Sequence, residues 1–287
     1  MKTENAKMVL TSTDSKLLRL SQGHLNLLET CPRKFQYNYL EKLTTPTDPK
    51  QEKHQIAGSR FHLLMQQREI GLPINSFLEG DQEDKELKTL KTWMTDFNET
   101  APEILTPDIN NQTFRESEHY RTLQIQNYLV TVVYDLLIAD QEKAHIFDWK
   151  TYQKPQKGND LAKNWQTKLY LYVLAETSTY LLENISMTYW FVQAKSRSNN
   201  IPFHYETQKH KQTEKQLHQL LNKLTNWLDD YEKGKPFPQV EESKTCNFCQ
   251  FAKQCDRFAD RRYDSKTLVA PAINNLPNLD IIEEVAL

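Results

Sequence analysis

The stretch that decides the fold runs from residue 129 to residue 150 and reads LVTVVYDLLIADQEKAHIFDWK. Two runs rich in β-branched and aromatic residues flank a polar segment, and this pattern predicts two antiparallel strands joined by a hairpin. A turn at that segment pairs Asp140 with Lys143. Continued outward one residue at a time, the same register brings Asp135 opposite Asp148, with Cβ atoms about 5 Å apart.

These two aspartates lie in otherwise apolar strands, where a carboxylate is costly to bury unless it is paired, hydrogen-bonded or bound to a cation. Facing carboxylates repel each other unless a divalent cation lies between them, and their hard oxygen ligands suit Mg²⁺ or Mn²⁺. Lys150 follows Asp148 by two residues and projects from the same face of the strand. Its ammonium can act on a water or on a phosphate, as metal-assisted phosphodiester hydrolysis requires. A surface hairpin with one buried Asp–Lys ion pair would show the same short motif.

Glycine-rich phosphate loops are excluded by the composition of the chain. Its 287 residues include six glycines, and no two of these can form a GxG or a GxxxxGK[ST] motif. A Rossmann dinucleotide turn and a P-loop both need closely spaced glycines. Any helicase motor would therefore be a separate partner. The formal net charge of −2 neither predicts nor excludes binding to nucleic acid.

Helical and strand patterns surround the hairpin on both sides. Apolar periodicity predicts helices at residues 22–30, 32–41, 56–69, 81–99, 160–182 and 213–231. Alternating or β-branched runs predict strands at residues 113–120, 123–139, 144–150, 185–194 and 201–207. The expected fold is α/β, with a mixed central sheet flanked by helices.

Four short motifs follow one another along the chain. They are Gly58-Ser-Arg-Phe-His62, Val132-Val-Tyr-Asp135, Asp148-Trp-Lys150 and Gln166-Thr-Lys-Leu-Tyr170. In this order they resemble the PD-(D/E)XK nuclease superfamily, specifically its RecB-like branch, which carries a GxxxH-type helix, a GxxD strand, a DxK strand and a QxxxY helix. The resemblance covers the chain from about residue 20 to residue 258, and it implies a restriction-endonuclease-like core.

The resemblance also implies roles for individual residues. It assigns metal binding to His62, Asp135 and Asp148, and it assigns to Lys150 the action on the attacking water. Gln166 and Tyr170, one helical turn apart on a shared face, would contact DNA or tune the site.

Two details of the motif region stay open. Val132 stands where the family usually has glycine; it is harmless if that glycine only avoids a neighbour, but it affects substrate access if the glycine admits the DNA backbone. Glu116 and Glu118, on the strand before Asp135, could add an acidic ligand. Strand carboxylates beside Arg115 and His119 are, however, commonly surface pairs.

The four cysteines fit one pattern, Cys31 followed by Cys246-x-x-Cys249-x5-Cys255. A CxxC pair lets two sulfurs from one turn reach the same metal, and Cys31 would have to fold back against the later three. Zinc sites usually show two short-range pairs, whereas the thiolate ligands of a 4Fe–4S cluster tolerate irregular spacing. The residues alone leave a cluster, zinc and four unrelated thiols open.

Both cysteine segments resemble the flanking segments of the iron–sulfur subset of RecB-like nucleases, which includes the AddB nuclease domain and the CRISPR-adaptation nucleases. The segments here read CPRKFQYNYL from Cys31 and CNFCQFAKQC from Cys246. The resemblance implies a 4Fe–4S cluster, with zinc as the alternative, that staples the two ends of the domain together. The free energy of metal binding would then contribute to folding.

These patterns predict a nuclease domain at residues 20–262, an N-terminal extension at 1–19, and an extended or disordered tail at 263–287. The predicted function is a Mg²⁺- or Mn²⁺-dependent deoxyribonuclease. The QxxxY motif of this branch often accompanies processing of free or single-stranded DNA ends, which favours exonuclease action. A helicase or repair partner is also expected.

Two other functions fit the same patterns. One is a catalytically silent DNA-binding or scaffold subunit of a helicase–nuclease or repair complex, and the other is an RNA nuclease on the same fold. No apolar run approaches the roughly 18 residues of a membrane helix, and the first residues lack the apolar core of a signal peptide. We therefore expect a cytoplasmic protein without a membrane partner.

Overall fold

The computed structural model describes residues 17–43, 49–74, 85–101, 104, 113–152, 159–193, 199–241 and 244–257. The tail predicted at residues 263–287 lies outside the described residues, as does most of the N-terminal extension predicted at 1–19. No helix in the described ranges is long and apolar enough to cross a membrane.

The described residues form a six-stranded mixed sheet, which confirms the predicted fold class. Its strands are β1 (Leu18–Leu20), β2 (Phe114–Ile125), β3 (Tyr128–Ala139), β4 (Ala144–Lys150), β5 (Ile185–Phe191) and β6 (Asn200–His204). They are ordered β1-β3-β4-β5-β6, and β2 pairs in addition with β3. The β1–β3 and β4–β5 pairs are parallel, whereas β2–β3, β3–β4 and β5–β6 are antiparallel.

Helices cover both faces of this sheet. They are α1 (Gln22–Thr30), α2 (Pro32–Phe35), α3 (Pro49–Glu69), α4 (Lys85–Thr100), α5 (Asn159–Lys163), α6 (Trp165–Glu176) and α7 (Thr207–Glu232), with a π-helical turn at Gln36–Leu40 and 3₁₀ turns at Leu182–Asn184 and Lys244–Phe248. One core, which we call the main core, packs α1, α6 and α7 on the sheet. A second core packs α3 and α4 on its other face.

Several predicted element boundaries were wrong. α3 begins at Pro49 and not at residue 56, α7 begins at Thr207 and not at residue 213, and β6 ends at His204 and not at residue 207. The predicted break between residues 120 and 123 is continuous strand, and the turn lies instead at Gln126 and Asn127, where Gln126 adopts a left-handed φ of 54°. The single helix predicted at residues 160–182 is two helices separated by Asn164. That residue caps α6, since its Oδ1 accepts a hydrogen bond of 2.8 Å from the backbone N–H of Gln166.

The predicted hairpin register is confirmed for the residues that pair. Leu136 pairs with Phe147 and Ala139 with Ala144, the register that sets Asp135 opposite Asp148. The paired ladder nevertheless ends one position before the two aspartates. The same edge of β3 pairs with β1 at residues 128–130, so among the described strands residues 131–135 have no ladder partner there. This split in the sheet edge opens space for side chains.

Candidate active site

Asp135 lies at the split in the edge of β3 and connects the two halves of the site. Its Oδ2 accepts a hydrogen bond of 2.5 Å from the backbone N–H of Trp149, which replaces the ladder bond that the diverging strands no longer make. Its Oδ1 lies 3.2 Å from Nδ1 of His62. The Asp135 side chain is 6% exposed, so this carboxylate is oriented by buried contacts on two sides.

His62 reaches Asp135 because α3 approaches the end of β4 closely. A Cβ added at Gly58 would lie only 2.9 Å from Oγ1 of Thr151, the residue that follows Lys150. A larger residue at this position would require the Thr151 hydroxyl to move. The glycine of the Gly58–His62 motif therefore places the histidine, one helical turn later, above the split edge.

A third residue joins His62 and Asp135, and it is Glu118 of β2. One ligand atom from each of the three lies within 4.8 Å of the other two. An imidazole nitrogen with two carboxylate oxygens is a donor set that suits Mn²⁺, and Mg²⁺ through its oxygens. We call these residues the acidic-histidine group. The sequence offered Glu118 only as one of two uncertain acidic ligands.

Asp148, Lys150 and Gln166 form a second group, which we call the lysine network. Nζ of Lys150 lies 2.8 Å from Oδ1 of Asp148 and donates a hydrogen bond of 2.9 Å to Oε1 of Gln166. The ring closes because Nε2 of Gln166 donates to Oδ2 of Asp148 at 2.8 Å. All three are buried, and Asp148 is completely so. The network therefore satisfies its two charges internally and fixes the ammonium in one place.

Tyrosines surround the amide of Gln166. Its Nε2 also donates to the hydroxyl of Tyr170 at 3.3 Å, so the two residues of the QxxxY motif are in contact. The hydroxyl of Tyr189 on β5 lies 3.4 Å from the Gln166 Oε1. Burial, reinforced by the Asp148 carboxylate, raises the pKa of Tyr189 well above its ordinary value, and this hydroxyl stays a proton donor.

Tyr189 is a site residue that sequence reasoning missed. Its ring lies beneath Lys150, with Nζ 5.2 Å from the ring centroid. Its hydroxyl lies 2.8 Å from Oγ1 of Thr167, whose own proton goes to the carbonyl of Leu161 at 2.6 Å. Tyr189 must therefore donate to Thr167. In the sequence, Tyr189 is visible only as a tyrosine within an apolar strand, and such tyrosines are common in buried cores.

Val132 does not project into the site. Its side chain is 1% exposed and packs in the main core. This placement matches the first reading of the family glycine, in which a valine is harmless. Glu116 is also separate from the site, since its carboxylate lies 2.7 Å from Nδ1 of His119 and its side chain is 53% exposed.

The four cysteines come together in the structure. Cys31, Cys246, Cys249 and Cys255 line a single pocket, and none is in a disulfide. Arg257 also lines it. Four free thiols around one pocket are a donor set that fits an iron–sulfur cluster and also fits zinc.

Hydrogen bonds join the two chain segments that carry these cysteines. Nε of Arg33 donates to the carbonyl of Phe237 at 2.7 Å, and the N–H of Phe237 donates to Oε1 of Gln36 at 2.6 Å. The hydroxyl of Tyr37 donates to the carbonyl of Gln254 at 3.3 Å. Segments about 200 residues apart in sequence are thus held side by side around the pocket.

The charges near Cys255 act in opposite directions. Burial raises the pKa of this thiol, whereas a hydrogen bond with Tyr37 and the positive charge of Arg33 lower it. The neighbouring Cys249 and Cys31 raise it further. The net effect is a raised pKa, which favours the neutral thiol of Cys255.

A mixed sheet with an Asp-x-Lys strand beside an acidic-histidine group is the architecture of a nuclease fold. A sequence model of the PD-(D/E)XK nuclease superfamily matches residues 19–256, and the chain belongs to that superfamily. The predicted superfamily is thereby confirmed. No curated protein matches the chain by sequence.

Solved structures support the same fold. A protein from Eubacterium rectale named "Putative exonuclease" superimposes with a TM-score of 0.51 at 9% identity, covering 88% of this chain and 94% of its own. A protein named SSO0001 matches with a TM-score of 0.36 at 13% identity, covering 86% of this chain and 90% of its own. The first likeness shows a shared fold, and the second is too loose to support a conclusion.

Proposed function

We propose that the protein is a Mg²⁺- or Mn²⁺-dependent deoxyribonuclease of the RecB-like branch that acts on DNA ends as an exonuclease. One observation carries this proposal: Asp135 of the acidic-histidine group accepts a hydrogen bond from the N–H of Trp149, the residue between Asp148 and Lys150, whose ammonium is fixed by Asp148 and Gln166. Superfamily membership supports phosphodiester hydrolysis. The QxxxY motif favours end processing, and the name of the Eubacterium rectale protein agrees with that preference.

The metal would be held by His62, Asp135 and Asp148, the residues that the family resemblance assigns. Bound there, a divalent cation supplies Lewis-acid stabilisation of the negative charge that develops on the phosphate. Asp148 would share its carboxylate between the cation and Lys150, which lies 2.8 Å away. The hydrogen bond from Trp149 holds Asp135 in place from the opposite side.

Lys150 would act on the water that attacks the phosphorus. The ammonium of Lys150 is held at a fixed position by Asp148 and Gln166. It would orient the water and neutralise charge on the phosphate oxygens. Burial around it excludes bulk water, which strengthens both effects.

Gln166 would keep the two charged groups of the network in order. Its carbonyl oxygen faces the ammonium of Lys150 and its amide N–H faces the carboxylate of Asp148. If the amide were flipped, its N–H groups would face the ammonium of Lys150 and its carbonyl oxygen would face the carboxylate of Asp148, so both hydrogen bonds would be lost. Tyr170 opposes this flip, because its hydroxyl accepts a hydrogen bond from the amide N–H of Gln166. This is a positioning role for the QxxxY helix.

We propose further that Cys31, Cys246, Cys249 and Cys255 bind a 4Fe–4S cluster, with zinc as the alternative. The support is the four free thiols around one pocket, joined to the family resemblance of their segments. Free thiols fit a reducing compartment such as the cytoplasm. The expected partners are DNA with free or single-stranded ends and a helicase or repair protein.

Digestion of labelled nucleic acids tests the proposed activity. The purified chain is incubated with Mn²⁺ or Mg²⁺ and with end-labelled single- and double-stranded DNA and RNA, beside Lys150→Ala and Lys143→Ala. Lys143 is exposed at the hairpin turn, so its variant controls for loss of a lysine on the same hairpin. We expect Lys150→Ala to lose at least about 100-fold in rate, the scale of one transition-state contact, and Lys143→Ala to match wild type.

Each result that contradicts the proposed activity points to a different function or site. If the wild-type chain cuts nothing but binds DNA, it is the silent binding subunit. If it cuts RNA alone, it is a ribonuclease on this fold. If Lys150→Ala cuts as fast as wild type, the lysine network is not the catalytic site.

A further inference from the structure

Glu118 interrupts β2 near its middle. Its backbone has a φ of 51°, in the left-handed region that residues with side chains rarely adopt. Gln126 has a similar φ, but it lies in the turn between β2 and β3. Glu118 lies within a strand, where no turn demands this conformation. Strain of this kind persists where the surrounding structure enforces it.

The left-handed residue does not correct the strand register. Ser117 pairs with Leu136 and His119 pairs with Tyr134, so the same register continues on both sides and only the pair of Glu118 with Asp135 is skipped. A bulge with an inserted residue would have shifted it. The conformation of Glu118 must therefore have another consequence.

That consequence is a change in which way the side chains point. Residues three apart on a regular strand lie on opposite faces. On β3, however, Tyr134 and Leu137 both pack in the main core. The alternation therefore changes phase at Asp135 and Leu136, opposite Glu118. Both members of the skipped pair leave the regular pattern at the level where the opposite edge of β3 is split between β1 and β4.

The Glu118 carboxylate thereby comes within 4.8 Å of ligand atoms of His62 and Asp135. Two carboxylates this close repel each other in a partly buried setting, and a divalent cation between them removes the repulsion. Glu118 also stands on a third element, so donors from β2, β3 and α3 approach one point from different directions.

We propose that Glu118 is a ligand of the divalent cation and that its left-handed backbone serves to aim its carboxylate. This inference rests on the metal site of the proposed function and adds to it a residue outside the four motifs. The motifs assign two carboxylates to the metal, those of Asp135 and Asp148. The carboxylate of Asp148 contacts Lys150 and Gln166. Glu118 supplies the acidic-histidine group with a second carboxylate, beside that of Asp135.

Glu116 offers a matched control two residues away on the same strand. Its carboxylate is directed to His119, and its side chain is largely exposed. The same substitution at the two positions changes charge and shape equally. Only the variant at Glu118 should affect a cation bound near His62.

Isothermal titration of the metal-free full chain with MnCl₂ tests the proposal without reference to cutting. We expect Glu118→Gln to bind Mn²⁺ at least about tenfold more weakly than wild type, and Glu116→Gln to bind as wild type does. Glu118→Gly provides a second variant, because glycine accepts a positive φ without strain. It should melt at the same or a higher temperature than wild type without metal, yet lose Mn²⁺ affinity to the same extent.

The outcomes separate this proposal from the nuclease proposal. Equal Mn²⁺ affinity in wild type and both Glu118 variants would overturn the ligand role, as would a wild type that binds no Mn²⁺. Weakened binding in the Glu118 variants together with a wild type that cleaves no nucleic acid would support the ligand role and reject the nuclease function. A lower metal-free melting temperature for Glu118→Gly would contradict the argument from backbone strain.

Discussion

The lysine network and the cysteine pocket are held together in opposite ways. Asp148, Lys150 and Gln166 are buried and close their hydrogen bonds among themselves, so folding alone completes the network. The four cysteines are partly exposed free thiols, and their pocket joins segments about 200 residues apart through a few hydrogen bonds. The first region is preorganised by the fold, whereas the second would help to complete the fold once it binds its metal.

This contrast predicts that the two regions respond differently to loss of one residue. A substitution in the lysine network should leave the domain folded and change its chemistry. A substitution in the cysteine pocket should act on the fold itself. The following variants test this expectation, beginning with the largest effect.

Cys31→Ala should have the largest effect, because it removes the one cysteine contributed by the N-terminal segment. We expect iron to fall from about four atoms per chain to less than one, with loss of the brown colour and insolubility or sensitivity to protease. Iron, sulfide and zinc analysis with limited proteolysis measures this. Lys150→Ala serves as the control and should keep its iron. A folded, active and colourless Cys31→Ala protein would remove the distinction between the regions.

His145 belongs to neither region, since it lies at the opposite end of β4 from Lys150 and its ring nitrogens contact neutral hydroxyl groups. Its ring nitrogens contact the hydroxyls of Ser186 and Thr188 at 2.7 and 2.9 Å. Burial, and secondarily the nearby His204, lowers the pKa of His145 from 6.5 to about 4. The partly buried ring is therefore neutral in the folded chain at neutral pH.

The pKa of His145 makes stability dependent on pH. The unfolded chain takes up a proton near pH 6.5 and the folded chain near pH 4, so the free energy of unfolding falls as the pH drops between these values. The difference amounts to about 3 kcal/mol. Urea unfolding at pH 6.5 and at pH 4 measures this change in the free energy of unfolding. The change should be smaller by that amount in His145→Gln, whereas His54→Gln, at an exposed histidine, should show the same change as wild type. Identical pH slopes in the two variants would contradict the assignment.

Tyr189→Phe should have the smallest effect on stability, because it removes one hydroxyl and leaves the ring beneath Lys150. Loss of the hydrogen bond to Thr167 should lower the free energy of unfolding by about 1 kcal/mol in urea titration. Tyr120→Phe, at an exposed tyrosine of β2, should change it by less than about 0.5 kcal/mol. If the chain is active, Tyr189→Phe should lower kcat more than it raises KM. Loss of iron from Tyr189→Phe would contradict the independence of the two regions.

Much of the fold could be predicted from short-range pattern. The β3–β4 register followed from a turn of four polar residues between two apolar runs, because a tight turn fixes which residues pair. The turn between β2 and β3 was misplaced, since residues 120–123 carry no composition that separates strand from loop. Asn164 split a predicted helix because its side chain caps α6, and a cap within a helical pattern is easily read as part of the helix.

The sequence by itself determined the superfamily, the order of the four motifs, the Asp135–Asp148 register and the pairing of Cys31 with a distant triplet. These depend on residue types and on spacings along the chain, which local geometry converts directly into structure. Only the tertiary structure shows that one edge of β3 pairs first with β1 and then with β4. It also places the carboxylate of Glu118 near His62 and the ring of Tyr189 beneath Lys150. Each of these contacts joins strands or helices that pair across long stretches of sequence, and no local pattern encodes where two distant backbones diverge.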